Sequence, residues 1–471
     1  MKLSETKIMS DKNIIDMKKQ EEKEREACFA RIAEEFSPGV ADAIKEHFAI
    51  YDERFYLWLA DLYDPGKYDE DGNPLGGGFY YSNSARDNEG FLIDVESTNQ
   101  ALNFFRSAGM LRGYDDDYLK AFPEKTVREI VAFTLSLQSS ENGYFYHPQW
   151  GKDITAGRLS RDIGSAVDIL RKFGMKPNWN TPSGVEGTYG YPSGVKKKGD
   201  DGETIIKRDW PERLKTLENW KAYIDEFRKD IDSNSYSIGH IVGEQAMQLI
   251  VREDEAVRNG EPTGYIKYTV DFFNECQNPE NGLWHKDVTY ASVNGLMKTM
   301  RFFTDCKIKL NYAKEAFTSA AEMIINEGPD RDGRVGGDSV SVYNPWVAVN
   351  RIMENVRECG DPDMVKELRG LLVERAEDMI RATTRKTLRF KKEDGSYGYW
   401  FKYSPDKSQG APASVPQTIE GDVNGGTIAV TGITCEMMNA LGIKNAYIFA
   451  PSDFDVFIDR LTKRKTMNKS I

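Results

Sequence analysis

Side chains able to transfer protons near neutral pH stand in three short segments of this 471-residue chain. Tyr146 and His147 are adjacent, His285 precedes Tyr290 by five residues, and His240 lies between these two segments. Imidazole and phenol groups are common general acids and bases. Three of the four histidines of the chain fall in these segments. We therefore take these five residues as candidate catalytic groups.

Cationic, amide and aromatic side chains accompany them. Arginine binds carboxylates in a bidentate manner, and the apolar faces of sugar rings stack on aromatic side chains. This combination predicts an acidic carbohydrate substrate and β-elimination on a uronate. In that reaction a cation neutralises the carboxylate, a base removes the neighbouring proton, and an acid protonates the leaving oxygen. The candidate substrate-binding residues are Asn83, Arg86, Trp150, Arg158, Arg161, Trp284, Asn294, Asn344 and Trp400.

A second chemistry, glycoside hydrolysis, needs two carboxylates that flank the scissile bond, one of them protonated. Carboxylates in front of helices are also ordinary N-caps or partners of the helix dipole, so each candidate has a structural alternative. The candidate carboxylates for hydrolysis are Asp94, Glu96, Glu244, Asp287, Glu420 and Asp422.

The elements that position these groups are indicated by an internal repeat. The octapeptides QSSENGYF (residues 138–145) and QNPENGLW (277–284) are nearly the same phrase, and each stands between two helical patterns. Looser copies occur at 72–80, 329–337 and 393–400, with a degenerate one at 184–193. A repeat of this kind indicates a helix–turn–helix unit, in which glycine supplies the positive φ that the turn needs.

The helical patterns form six pairs, and six pairs predict an all-α fold of the (α/α)6 toroid type, with two concentric rings of helices. Loops that lead into the inner ring would gather at one end and form the functional site. The predicted outer helices span 40–62, 124–137, 211–229, 263–276, 310–326 and 363–383. The predicted inner helices span 94–108, 160–173, 236–252, 290–303, 344–356 and 427–441.

This arrangement resembles the α/α-toroid enzymes, namely six-hairpin glycosidases, toroid domains of polysaccharide lyases, and terpenoid-cyclase or protein-prenyltransferase toroids. The Gln-x-x-x-x-Gly-x-Trp spacing of 277–284 is similar to the turn motif of the terpenoid-cyclase group. The resemblance implies a fold and leaves the reaction open. Elimination and hydrolysis are therefore accompanied by two further hypotheses, a terpenoid-cyclase-like enzyme and a non-catalytic sugar-binding toroid.

Composition bears on the partners of the protein, its location in the cell and the state of its cysteines. The formal net charge of −12 argues against nucleic acid as a partner, because such binding depends on basic residues. No apolar run is long enough for a membrane span, and the start of the chain lacks a secretion-signal pattern. Five scattered cysteines predict reduced thiols, a cytoplasmic protein, and neither metal nor cofactor. We predict a helical arm (1–35), the toroid (36–450) and a C-terminal helix with a basic tail (451–471), and leave the oligomeric state open.

Overall fold

The computed structural model describes residues 11–194, 210–327 and 337–467, with side chains from residue 17 onward. The chain is predominantly helical, as the periodicity predicts. The first ten helices are α1 Asp11–Glu35, α2 Pro38–Ala49, α3 Glu53–Asp61, α4 Asn83–Asp87, α5 Val95–Ser107, α6 Tyr118–Ala121, α7 Glu124–Ser136, α8 Ala156–Lys172, α9 Glu212–Lys215 and α10 Leu217–Asp225. The next ten are α11 Ile231–Glu244, α12 Ala246–Asn259, α13 Tyr265–Cys276, α14 Tyr290–Asp305, α15 Ala313–Ile325, α16 Val340–Glu358, α17 Pro362–Leu388, α18 Val423–Thr427, α19 Ile433–Leu441 and α20 Pro451–Thr462.

Strands are confined to two small antiparallel hairpins in the described residues. β1 Tyr63–Asp64 pairs with β2 Gly78–Phe79, and β3 Lys407–Ser408 pairs with β4 Ala411–Pro412. The first hairpin lies in the loop before α4 and the second in the loop before α18. The strands therefore belong to loops and add no layer to the core. Within the described residues, no helix has both the length and the apolarity to cross a membrane.

The two octapeptides fold into the same turn with the same hydrogen bonds. The Gln138 amide donates to the carbonyl of Gly143 at 3.1 Å, and the Gln277 amide donates to that of Gly282 at 2.8 Å. Each glutamine also donates to a later loop, Gln138 to Trp179 at 2.8 Å and Gln277 to Asn311 at 2.9 Å. Gly143 and Gly282 have φ values of +77° and +69°. The two copies of the repeat therefore share the same side-chain hydrogen bonds and the same positive φ at glycine.

The helices that follow the turns pack side by side, and we call α5, α8, α11, α14, α16 and the α18–α19 helix the second helices. In the described residues α5 packs on α8, α11 on α14, α14 on α16, α16 on α19, and α18 on α5. Glycine permits the closest approach, between α11 and α14: a Cβ on Gly295 would lie 2.3 Å from Ser235 Oγ. Packing between α8 and α11 is sparse.

The first helices of the pairs also pack on one another. α2 packs on α17, α17 on α15, and α10 on α13. The contact of α2 with α17 brings the first pair of the chain against the last. Trp284 and Trp346 are each no more than 1% exposed between the two sets of helices. Their indole nitrogens donate to Phe273 O at 2.8 Å and to Thr383 Oγ1 at 2.9 Å, so these buried donors are satisfied.

Several boundaries differ from the sequence prediction. The predicted inner helix 236–252 is two helices, α11 and α12, which meet at Gln245, whose side chain accepts from Arg213 at 2.6 Å. The predicted outer helix 40–62 is broken between α2 and α3, where Asp52 caps α3. The proposed copy at 184–193 lies against the 138–145 turn, with Ser193 N donating to Ser140 O at 2.9 Å. Most of the copy at 329–337 lies outside the described residues.

Candidate functional site

The three histidines singled out from the sequence occupy three different environments. His147 is 1% exposed, accepts from Gln149 N through Nδ1 at 3.2 Å, and stacks on Trp150 with the rings 3.9 Å apart. Burial lowers the pKa of His147 to about 4, so the imidazole is neutral at pH 7. His285 accepts from Asp287 N at 2.9 Å and so orders its own turn. His147 and His285 therefore lie in different surroundings, and His240 belongs to an exposed cluster described below.

His147 belongs to a buried group of charges beside it. The Arg158 guanidinium is fully buried and contacts Asp94, Glu96 at 3.1 Å and Asp162 at 2.8 Å. Arg161 is half exposed and binds Glu96 at 2.7 Å from the other side. Arg158, a predicted substrate-binding residue, directs its charge at carboxylates of its own core. Trp150 lies over the Arg158 guanidinium at 4.9 Å and completes this buried group.

Asp162 is the carboxylate that this group compensates least. Its Oδ2 atom is buried and lacks a hydrogen-bond partner in the described residues. Burial, with the nearby Asp94 and Glu96 carboxylates, raises the pKa of Asp162 to about 7, against the opposing effect of Arg158. The Asp162 carboxyl group is therefore partly protonated near neutral pH.

The acidic candidates of the first and sixth pairs meet around Tyr81, as expected if these two pairs are neighbours. Tyr81 has a hydrogen bond to Asp422 and feels the charge of Glu96. Asp422 caps α18 by accepting from Gly425 N at 2.7 Å and also accepts from Tyr399 N at 2.7 Å. Burial raises the pKa of Asp422 to about 6. Glu420 is buried as well.

The hydroxyl and amide groups of the first pair saturate Glu420. It accepts from Ser82 Oγ at 2.8 Å, from Ser84 N at 2.7 Å and from Ser84 Oγ at 2.5 Å. Asp94 caps α5 and accepts from Ser97 N at 2.9 Å. These carboxylates connect loops to helix starts, which is the structural alternative named for each of them above.

An amide cluster joins the starts of α14 and α16. Asn344 donates to Asn294 Oδ1 at 2.9 Å and to the Tyr290 hydroxyl at 3.1 Å. Both asparagines are buried, whereas Tyr290 is partly exposed. The cluster places the Tyr290 phenol at the start of α14.

The remaining candidates lie apart from one another. Asn83 donates to Asp394 at 3.1 Å, Arg86 pairs with Asp87 at 2.6 Å, and the Tyr146 hydroxyl accepts from Asn142 at 3.0 Å. Trp400 pairs with Asp338 in a β-bridge, and Asp287 is exposed. Trp284, a predicted substrate-binding residue, is buried in the core.

A cluster that does face open space is formed by α8, α11, α14 and the loop before α18, and we call its members the central cluster: Arg161, Tyr236, His240, Lys298 and Tyr399. The Lys298 ammonium lies 5.6 Å from the centre of the Tyr236 ring, and Tyr236 stacks on His240 at 6.3 Å. Burial and the Lys298 charge lower the pKa of His240, which leaves the imidazole neutral and able to accept a proton. Glu244 is 3.7 Å from His240.

Lys298 is the cation of this cluster without a direct counter-ion. Among the described residues no carboxylate forms a salt bridge with its ammonium group. Burial lowers the pKa of Lys298, and the charges of Arg351, Arg301 and Arg161 lower it further, against the opposing charge of Glu244. Arg351 is held by the Met297 carbonyl at 2.6 Å. Several cations therefore share one region, which favours an anionic ligand there.

Tyr399, in the loop before α18, lies close to other members of the central cluster. Burial raises the pKa of its phenol, and the charged groups that it feels belong to Asp338, Asp422, Tyr236 and Arg161. These four residues come from four different pairs of helices. Beside Arg161, a cleft of about 520 Å³ between α5 and α8 is lined by Glu96, Gln100 and Asp168. In the described part of the chain, no three His, Cys, Asp and Glu side chains are placed to hold a metal ion.

Tyr236, Lys298 and Tyr399 were missing from the residues selected on sequence. One signal was present, because Tyr236, His240 and Glu244 recur every four residues and so share one helix face. Lys298 carried no comparable signal, since its significance depends on which residues of other helices surround it. No protein family, curated protein or solved structure was found to match this chain.

Proposed function

We propose that this chain is an (α/α)6 toroid enzyme that binds a uronate-containing oligo- or polysaccharide and cleaves its glycosidic bonds by β-elimination. The toroid is supported by the run of contacts from α8 through α5, α18–α19, α16 and α14 to α11, and by the contact of α2 with α17. The second helices would then form the inner ring, and the central cluster would face its interior.

The observation that carries the proposal is the Lys298 ammonium group over Tyr236 with no direct counter-ion among the described residues. A uronate carboxylate would supply that charge, with Arg161 close enough to influence the same site. Tyr236 would provide an aromatic face for a sugar ring. A cation at the carboxylate makes the C5 proton more acidic, because it stabilises the negative charge that develops when this proton leaves.

In the proposed reaction, the base that removes the C5 proton is His240 as the neutral imidazole or Tyr236 as the phenolate. The electron pair of the C5–H bond becomes the C4=C5 double bond as the C4–O bond breaks, and the leaving oxygen takes up a proton. Elimination is favoured over hydrolysis because Glu96 and Glu244 are bound by Arg161 and Arg301. The oxygens that would have to act on a scissile bond are thereby engaged by arginine side chains.

Hydrolysis is a second candidate on one observation. Burial raises the pKa of Asp422 to about 6, so this carboxyl group is partly protonated near neutral pH. Its two oxygens are held by Gly425 N and Tyr399 N. Hydrolysis would give saturated products, whereas elimination gives an unsaturated uronate that absorbs ultraviolet light.

The test is incubation of the protein with uronate oligosaccharides while ultraviolet absorbance and new reducing ends are followed together. We expect both signals to rise in step, and Lys298→Met to raise KM at least tenfold. The matched control is Lys221→Met. Lys221 belongs to α10, and its ammonium group lies 5.7 Å from the centre of the Tyr268 ring, so it has the same kind of contact as Lys298 with Tyr236. New reducing ends without absorbance would replace elimination by hydrolysis. Equal effects of the two substitutions would contradict the site.

A further inference from the structure

The sixth second helix contains an irregular turn. Between α18 and α19, residues Ile428–Gly432 form a π-helical turn, in which Ile433 N bonds to Ile428 O five residues back. Single π-turns inside α-helices are rare and recur at functional sites, because the extra residue changes the direction of the side chains that follow. The residues redirected here are those of the first turn of α19, which include Glu436.

Glu436 is a partly buried carboxyl group held on several sides. Asn350 of α16 donates to Glu436 Oε2 at 2.6 Å and to the Glu436 carbonyl at 2.8 Å. The Tyr343 hydroxyl also bonds to it, and Arg351 and Glu354 are the charged groups that face it from α16. Gly432, within the π-turn, makes room for Tyr343, whose ring is 3.4 Å from the position that a Cβ would occupy.

Burial determines the protonation of this group. It raises the pKa of Glu436, although Asn350, Arg351 and Tyr343 act in the opposite direction. The surroundings therefore supply both a preference for the acid form and donors that would stabilise the carboxylate once the proton has left. This is the balance that a general acid needs.

Arg351 connects this carboxyl group to the central cluster. Its charge lowers the pKa of both Lys298 and Glu436. Its guanidinium is held in place by the Met297 carbonyl at 2.6 Å. A sugar residue whose carboxylate is bound by Lys298 would thus lie near the part of α16 that faces Glu436 of α19.

We propose that Glu436 is the proton donor for the β-elimination described above, an inference that rests on that proposed function. As the C4–O bond breaks and its electron pair moves to the leaving oxygen, the Glu436 carboxylic acid transfers its proton to this oxygen. The resulting carboxylate is stabilised by Asn350, Tyr343 and Arg351, and a later proton from water restores the acid. The C5 proton goes to His240 or Tyr236.

The test is Glu436→Gln, which keeps an acceptor for Asn350 and removes the proton. We expect kcat to fall at least 100-fold with KM changed less than threefold. The matched control is Glu358→Gln, at the exposed C-terminal end of α16 and outside the groups that act on Glu436, which should leave kcat unchanged. A uronate with an aryloxy leaving group at C4, which departs without a proton, should reduce the loss in Glu436→Gln to less than tenfold.

The outcomes separate this inference from the proposed function. Absence of any unsaturated product from the wild-type protein would overturn both. Normal product formation with an unchanged kcat in Glu436→Gln would overturn this inference alone, as would an equal loss on both substrates, which indicates a merely structural role.

A second variant covers the case in which Glu436→Gln does not fold. Tyr343→Phe removes a hydrogen bond that lowers the pKa of Glu436. The acid form should then persist to higher pH, so the alkaline limb of the kcat profile should move upward by half a pH unit or more. An unmoved limb would contradict proton donation by Glu436.

Discussion

The protonation of Asp162 gives the sharpest test of the buried charge group. Its carboxyl group has an ordinary pKa of 3.8 when exposed and about 7 in the folded chain. Between these two values the folded state binds a proton that the unfolded state has released. Stability contributed by this group is therefore complete below pH 3.8 and is lost as the pH rises through 7.

The magnitude follows from the shift of about three pH units. At about 1.4 kcal/mol per unit, ionised Asp162 costs the folded state up to about 4 kcal/mol above pH 8. About 2–3 kcal/mol of this develops between pH 5 and pH 8 by the linkage relation. Asp162→Asn removes the titration while it preserves the shape of the side chain. The variant should therefore gain about 2–3 kcal/mol relative to the wild type over this range.

The assay is urea unfolding followed by circular dichroism at several pH values from 5 to 8. The matched control is Asp168→Asn, one and a half turns later on α8. Burial opposes ionisation of Asp168, but Lys172 and Arg171 outweigh it and lower its pKa. Stability from that group is present above its unfolded pKa, so Asp168→Asn should lose stability by an amount that does not change over this range. A pH-independent difference between Asp162→Asn and the wild type would refute the reasoning.

Two further predictions concern the repeated turn, in addition to those for Lys298 and Glu436. Gly282→Ala should lower the free energy of unfolding by about 3 kcal/mol or more, because the positive φ is strained and the new Cβ would lie 2.2 Å from Ala316 N. Gly260→Ala, with φ of +67° and open space, should cost only about 1 kcal/mol; equal thermal shifts would contradict this account. Gln277→Glu should destabilise more than Gln277→Ala, because it directs a carboxylate at two backbone carbonyls. Identical melting temperatures of these two variants would show that the amide bonds contribute nothing.

Sequence alone determined the repeat and the helical class, for a local physical reason. A glutamine that bonds to a carbonyl five residues later, followed by a glycine with positive φ, needs only the chain between them. Helix periodicity is equally local, so most predicted helices were found within a few residues of their expected bounds. The split between α11 and α12 was missed; at that point Gln245 contacts Arg213, which belongs to a distant element.

Only the tertiary structure decided which polar residues are used inside the protein and which face open space. Arg158 and His147 have the residue types of a functional site, yet burial and neighbouring carboxylates commit them to the core. Lys298 appears ordinary in the sequence. It becomes a candidate for anion binding because Arg161 and Arg351, from other helices, and Arg301, from its own helix, act on it together. Charge compensation depends on contacts between distant parts of the chain, and spacing along the sequence does not encode them.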